Sequence, residues 1–222
     1  MLTIKYSKVF PASMVSHIDL LRVMNRLIRR SGLKTEYSKG FNPHMLLFFS
    51  PPLSLGAESL CEYVSVAAEK EDMTTERLNE VCPEGIVCRE FFVTGRNPNL
   101  AAEIKWAEYS IKAENIGKID AEAILSAESF PITYTEKGES VTKDVRSFIR
   151  GVEILGENEI RAVLACGNRN LKADRFAKGV ADNFGIPFKS ASVMKTEAFV
   201  GEGATADRFL RKAAADFAAS IK

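Results

Sequence analysis

The sequence predicts an α+β protein in two units. Three observations carry that prediction: a strand–helix–strand–strand–helix–strand order over residues 1–95, an amphipathic helix rich in arginine near the start, and a weaker strand–helix pattern that resumes from Ile104.

Lys5 and Tyr6 open the order in a short strand, broken by Pro11-Ala12-Ser13. Ser16-His17-Ile18-Asp19 has the spacing of a helix start, in which the Ser16 hydroxyl accepts from the amide of Asp19. Leu20, Leu21, Met24, Leu27 and Ile28 then recur at helical spacing, Arg22, Arg26, Arg29 and Arg30 fall mostly outside that stripe, and Gly32 supplies a left-handed stop. Met45 to Phe49 reads as a strand buried on both faces, ended by Pro51-Pro52. Leu60 to Ala67 is a second strand, Thr75 to Val81 a short helix that stops before Pro83, and Ile86 to Val93 a further strand. This order is the split β-α-β arrangement of ferredoxin-like domains, in which both helices cover one sheet face and the other face or its rim stays available.

Gly95 to Asn99 reads as a linker, which sets the expected domains at 1–95 and 101–222. The second is a more irregular α+β unit. It has strands over 106–113, 131–135 and 193–200, a short apolar piece over 145–149, a hairpin over 152–155 and 160–166, and helices over 118–127, 173–184 and 205–221. Gly201-Glu202-Gly203-Ala204-Thr205-Ala206 imitates a dinucleotide fingerprint. Only one helix follows it, so the second strand and its ribose-binding carboxylate are missing.

Composition narrows the function. With 46% hydrophobic and 27% charged residues and no apolar run of membrane-spanning length, a cytoplasmic protein without a membrane partner is expected. Cys61, Cys82, Cys88 and Cys166 show no metal-ligand spacing and read as reduced, structural thiols; no cofactor and no metal is expected. The 30 basic and 29 acidic residues nearly balance, yet residues 1–57 carry eight cations against Asp19 and Glu36, a net +6. That gradient points to one basic surface for an anionic partner.

The candidate site centres on Tyr37-Ser38-Lys39-Gly40-Phe41-Asn42-Pro43-His44. Gly40 permits unusual backbone geometry, Asn42-Pro43 stiffens the turn, and Lys39 and His44 gather with backbone N–H groups around a point where an anion fits. The expected RNA- or anion-binding set is Arg22, Arg26, Arg29, Arg30, Lys39, Gly40, Phe41, Asn42 and His44. His17 and His44 are acid–base candidates if the fold brings them together, and with Asp19 they make a possible three-ligand metal set. A local structural role for each histidine is the commoner arrangement.

Ser16-His17-Ile18-Asp19-Leu20-Leu21-Arg22, Ser38 to His44, Pro52-Leu53-Ser54-Leu55-Gly56 and Glu62-Tyr63 together resemble the radical SAM-linked proteins, a bacterial family of unknown function found beside or fused to cobalamin-binding-type radical SAM enzymes. The resemblance continues through Lys143 to Ile149, Leu171 to Asp174 and Lys195 to Glu197. It departs at Pro11 to Val15, where members carry a glycine and an arginine, and at Met45-Leu46, where they carry Pro-Lys. What the resemblance implies is a radical SAM enzyme as partner. This chain lacks the CxxxCxxC cluster ligands of such enzymes. The expectation is therefore a non-catalytic accessory or substrate-recognition protein that binds RNA. The alternatives are a metal-independent RNA endonuclease using His17 and His44, and a purely protein-binding adaptor.

Overall fold

A computed structural model of the chain describes residues 1–68, 74–136, 138–201 and 203–221. In chain order the elements are β1 (Leu2–Lys8), α1 (His17–Arg30), β2 (Leu47–Phe49), β3 (Glu58–Val66), α2 (Thr75–Asn79), β4 (Ile86–Val93), α3 (Leu100–Glu103) and β5 (Ile104–Lys112). They continue with α4 (Ala121–Ser126), β6 (Pro131–Glu136), β7 (Glu139–Asp144), β8 (Ile149–Gly156), β9 (Glu159–Ala165), α5 (Ala173–Asn183), β10 (Ser192–Val200), β11 (Ala204–Thr205) and α6 (Ala206–Ser220). The fold is mixed α+β, and its contacts form two units, Met1–Ile104 with Phe199–Lys222, and Lys105–Ala198.

In the first unit the strands lie in the order β4-β1-β3-β2, and each of these pairings is antiparallel. Alternation sorts their side chains. Leu2, Ile4 and Tyr6 of β1 and Val64 and Val66 of β3 join Leu20, Met24, Leu27 and Ile28 of α1 in one buried core. Four of the five stripe residues read from sequence, all but Leu21, are thus on the packed face, with Val23 packed beside them. Met45–Phe49 departs from the expected doubly buried strand. Only Leu47–Phe49 pairs with β3, and Phe48 is 40% exposed because β2 has a single strand neighbour within this unit.

The sheet face away from α1 was expected to be open, and sequence alone assigned all of 101–222 to a separate unit. Both expectations fail at α6, which returns to the first unit. Asp207 pairs with Lys5 at 2.5 Å and accepts from the Tyr63 hydroxyl at 2.7 Å, while Arg211 grips both oxygens of Glu90. Lys5 and Tyr63 are themselves cross-strand partners, so a single carboxylate ties helix to sheet at two neighbouring strands.

The second unit holds strands in the order β10-β5-β9-β8, together with a separate β6–β7 hairpin. The hairpin lies against α5, where a Cβ on Gly179 would stand 2.4 Å from Ile132 Cγ2. No helix among the described residues is long and apolar enough to cross a membrane.

Candidate functional site

The α1 start forms as its spacing predicts. Ser16 Oγ accepts from the Asp19 amide at 3.2 Å and donates to Asp19 Oδ2 at 2.7 Å, while Arg22 donates to Asp19 Oδ1 at 2.8 Å. The Ser16 hydroxyl, and after it the Arg22 guanidinium, holds the Asp19 carboxyl below the usual carboxylate range. Both oxygens of Asp19 therefore serve the cap, and its weighed part in a metal set or in proton transfer has no geometric support.

Arg22, Arg26, Arg29 and Arg30 are all exposed on α1. Arg22 is tied to Asp19, whereas Arg26 and Arg30 meet no carboxylate among the described residues. Arg29 lies over the Tyr37 ring at 6.0 Å, which joins the helix row to the start of the loop.

The loop is closed by its own ends. The Ser38 amide donates to the His44 carbonyl at 2.8 Å, the His44 amide donates to Ser38 Oγ at 3.0 Å, and Ser38 Oγ lies 2.9 Å from His44 Nδ1. Tyr37 and Met45 form the bridge beneath them. At the tip, Gly40 takes φ +144° in open space, and Phe41, Asn42 and Lys39 are all exposed, Phe41 completely. His44 thus fastens the loop.

His17 sits at the other end of the helix. Its ring meets the Phe49 edge at 5.6 Å and 82°. Phe49 is five residues beyond His44 along a nearly extended chain, roughly 16 Å at the rise of a strand. The two imidazoles share no partner, and no group of three or more His, Cys, Asp or Glu among the described residues is placed to hold a metal ion.

His17 instead borders a recess that sequence reasoning missed. Lys8 and Glu62, each only 3% exposed, line it with Tyr6, Ser50 and Phe49, and Leu20, Pro52 and Leu53 complete it. Its volume is about 10 Å³, the room of a single water. Lys8 Nζ donates to the Val15 carbonyl at 3.0 Å, and Ser50 Oγ reaches Glu62 Oε2 at 3.4 Å. Burial lowers the Lys8 pKa below its ordinary value, and the Glu62 carboxylate partly opposes that shift. A signal for these two residues exists in the strand period, since Lys8 follows Leu2, Ile4 and Tyr6 at every second position, and Glu62 precedes Val64 and Val66 in the same way.

Residues 1–172 match the family described as uncharacterized protein conserved in bacteria, DUF2344. The chain belongs to that family. The DUF2344 match takes in α1, the 37–44 loop, the Lys8–Glu62 recess and the β6–β7 hairpin, and it ends before α5. No curated protein matches the chain. Within the DUF2344 region, the fold draws together segments far apart in sequence: Lys8, His17, Leu53 and Glu62 all line one small recess.

Proposed function

We propose that this DUF2344 protein is a non-catalytic, cytoplasmic RNA-binding accessory protein that presents its substrate to a separate radical SAM enzyme. The arginine row of α1 and the 37–44 loop form the gripping surface. One observation carries the reading: Arg29 lies over Tyr37, so the helix row that also holds Arg26 and Arg30, which meet no carboxylate among the described residues, adjoins a locked loop whose tip holds Phe41 fully in water. An exposed phenyl ring forgoes about 1.5–3 kcal/mol of burial energy, while stacking on a nucleobase returns roughly 1–3 kcal/mol.

The neighbour order β4-β1-β3-β2 with α1 on one face supports reading the first unit as a ferredoxin-like sheet. The enzyme partner rests on the resemblance of residues 16–22, 38–44, 52–56 and 62–63 to the radical SAM-linked proteins.

The test is the affinity for transfer RNA measured by fluorescence anisotropy between about 50 and 200 mM salt. Affinity is expected to fall steeply with salt, and both the joint Arg26→Ala, Arg30→Ala change and Phe41→Ala are expected to weaken it at fixed salt. Absence of binding at the lowest salt, or indifference to the arginine pair, would refute the reading. Co-purification of a radical SAM subunit that survives nuclease treatment would favour the adaptor role instead.

A further inference from the structure

We propose a second nucleic-acid-binding face, on the Lys105–Ala198 unit, in which Lys143, Arg169 and Arg150 are mounted on Phe148 and Trp106 to hold single-stranded nucleic acid. Lys143 Nζ lies 4.9 Å and Arg169 Cζ 4.8 Å from the Phe148 ring centre, and Arg150 Cζ lies 5.5 Å from that of Trp106. Arg169 also donates to Ser147 Oγ at 3.0 Å, a second tether for its guanidinium.

The topology collects these residues at one end of the sheet. Trp106 pairs with Ala165 and Ile149 with Leu164, so Trp106 and Arg150 stand two strand spacings apart, roughly 10 Å. The loop carrying Arg169 begins where β9 ends, and the Cys166 amide donates to the Lys105 carbonyl at 2.8 Å.

Several cations of this face are free of carboxylates among the described residues, whereas others of the unit are paired. Lys112, Lys118, Arg161, Arg175 and Lys178 each meet a carboxylate at 2.6–3.8 Å. Lys105, Lys143, Arg169 and Lys172 meet none among the described residues. Asp144, the one carboxylate in residues 143–150 and 166–172, turns Oδ1 onto the amides of Phe130 and Arg146 at 2.9 Å each. Those hydrogen bonds hold its carboxyl below the usual range, so Asp144 orders the turn through its amides.

The chemistry favours nucleic acid over an acidic peptide. A guanidinium held over a ring keeps donors free for phosphate, and a long side chain already held on a ring loses less freedom when it binds. Bases reach such a plane only when unpaired, which selects single strands.

The proposal is independent of the α1 face, and the experiment separates the two. Fluorescein-labelled oligouridine and oligothymidine of about twenty nucleotides, long enough to cover several phosphate contacts, are titrated against the full chain. Poly-glutamate serves as competitor, and ultraviolet cross-links are located by mass spectrometry. Lys143→Ala with Arg169→Ala is expected to weaken binding about tenfold or more and to flatten the logarithmic salt slope by about 1.4, two phosphates' worth. Lys112→Ala with Lys118→Ala is expected to leave both unchanged, and thermal melts confirm that each variant folds. Cross-links at Phe148 or Trp106 should persist in the Arg26→Ala, Arg30→Ala protein. Equal affinity for the two oligomers fits the proposal and reveals no 2′-hydroxyl contact; preference for either names the natural strand. The proposal is overturned if neither oligomer binds, if the Lys143, Arg169 pair is silent or matches the control pair, if cross-links fall only at Phe41 or Tyr37, or if poly-glutamate competes as well as oligonucleotide.

Discussion

Lys8 and Glu62 put opposite charges on core-facing positions of neighbouring strands, where an ion stripped of water is tolerated only beside a partner. Removing one alone leaves the other buried without the opposing charge that acts on it. Lys8→Met is expected to destabilise the protein by about 3–5 kcal/mol, and the double Lys8→Met, Glu62→Met variant to recover most of that loss. Urea unfolding of all four members of the cycle measures the coupling, and additive losses would show that the two charges do not support each other.

Asp19 makes a different residue-scale prediction. Its folded pKa lies below the ordinary 3.8, so its contribution to stability is complete above that pH and is lost as pH falls through the lower folded value. Asp19→Asn should therefore lower the urea midpoint at neutral pH, and the difference from the parent should close in strong acid. The cap was legible before any coordinates because Ser16 and Asp19 stand three apart ahead of an apolar stripe. Lys39 and the arginines were legible as exposed for a similar reason, since they fall inside a turn or outside that stripe; Phe41 was not, because an aromatic in a tight turn reads locally as a plug for the core, and the structure leaves it fully exposed. The part played by His44 was not, because a histidine that fastens a loop and one that does chemistry have the same local sequence.

Among the elements, legibility followed apolar pattern and caps. The α1 bounds and the strand Ile86–Val93 agree with their periodicity and punctuation. The helix expected over 118–127 is instead a 3-10 turn at Ile116–Lys118 followed by α4, because Asp120 accepts from the Ala123 amide at 2.9 Å and starts a new helix there. Strand β7, Glu-Ser-Val-Thr-Lys-Asp, was invisible: it carries one apolar residue and is exposed along nearly its whole length. Its partner β6 supplies Ile132, whose side chain fills the space that a glycine leaves on α5. Gly179→Ala is thus expected to cost about 1–3 kcal/mol by overpacking, although alanine raises helix propensity by about 1 kcal/mol. Adding Ile132→Ala should recover part of the thermal stability. A simple gain in Tm for Gly179→Ala would contradict the close approach.

At the scale of the whole molecule, the chain does not divide where its linker suggests. Gly95 to Asn99 looks like a boundary because local composition reports turns, whereas the return of Phe199–Lys222 depends on contacts from more than a hundred residues away. The contact that anchors it is testable. Asp207→Ala leaves the Lys5 ammonium and the Tyr63 hydroxyl without their shared acceptor, two groups whose side chains pack beneath α6. A loss of about 3 kcal/mol is expected, which lowers Tm by roughly 6–12 °C. Unchanged melting would mean that α6 is held elsewhere, for instance through Arg211 and Glu90.

That anchoring also bears on folding during synthesis, which runs from the amino end. Strands β1 and β3 are synthesised well before the helix bearing Asp207, more than a hundred residues ahead of it, so one side of the nascent sheet waits in water for that helix. The residues that wait include Thr3, Lys5, Ser7 and Ser65, which water solvates readily, but also Tyr63 and Phe92 on the same face, two rings that stay sticky until they are covered.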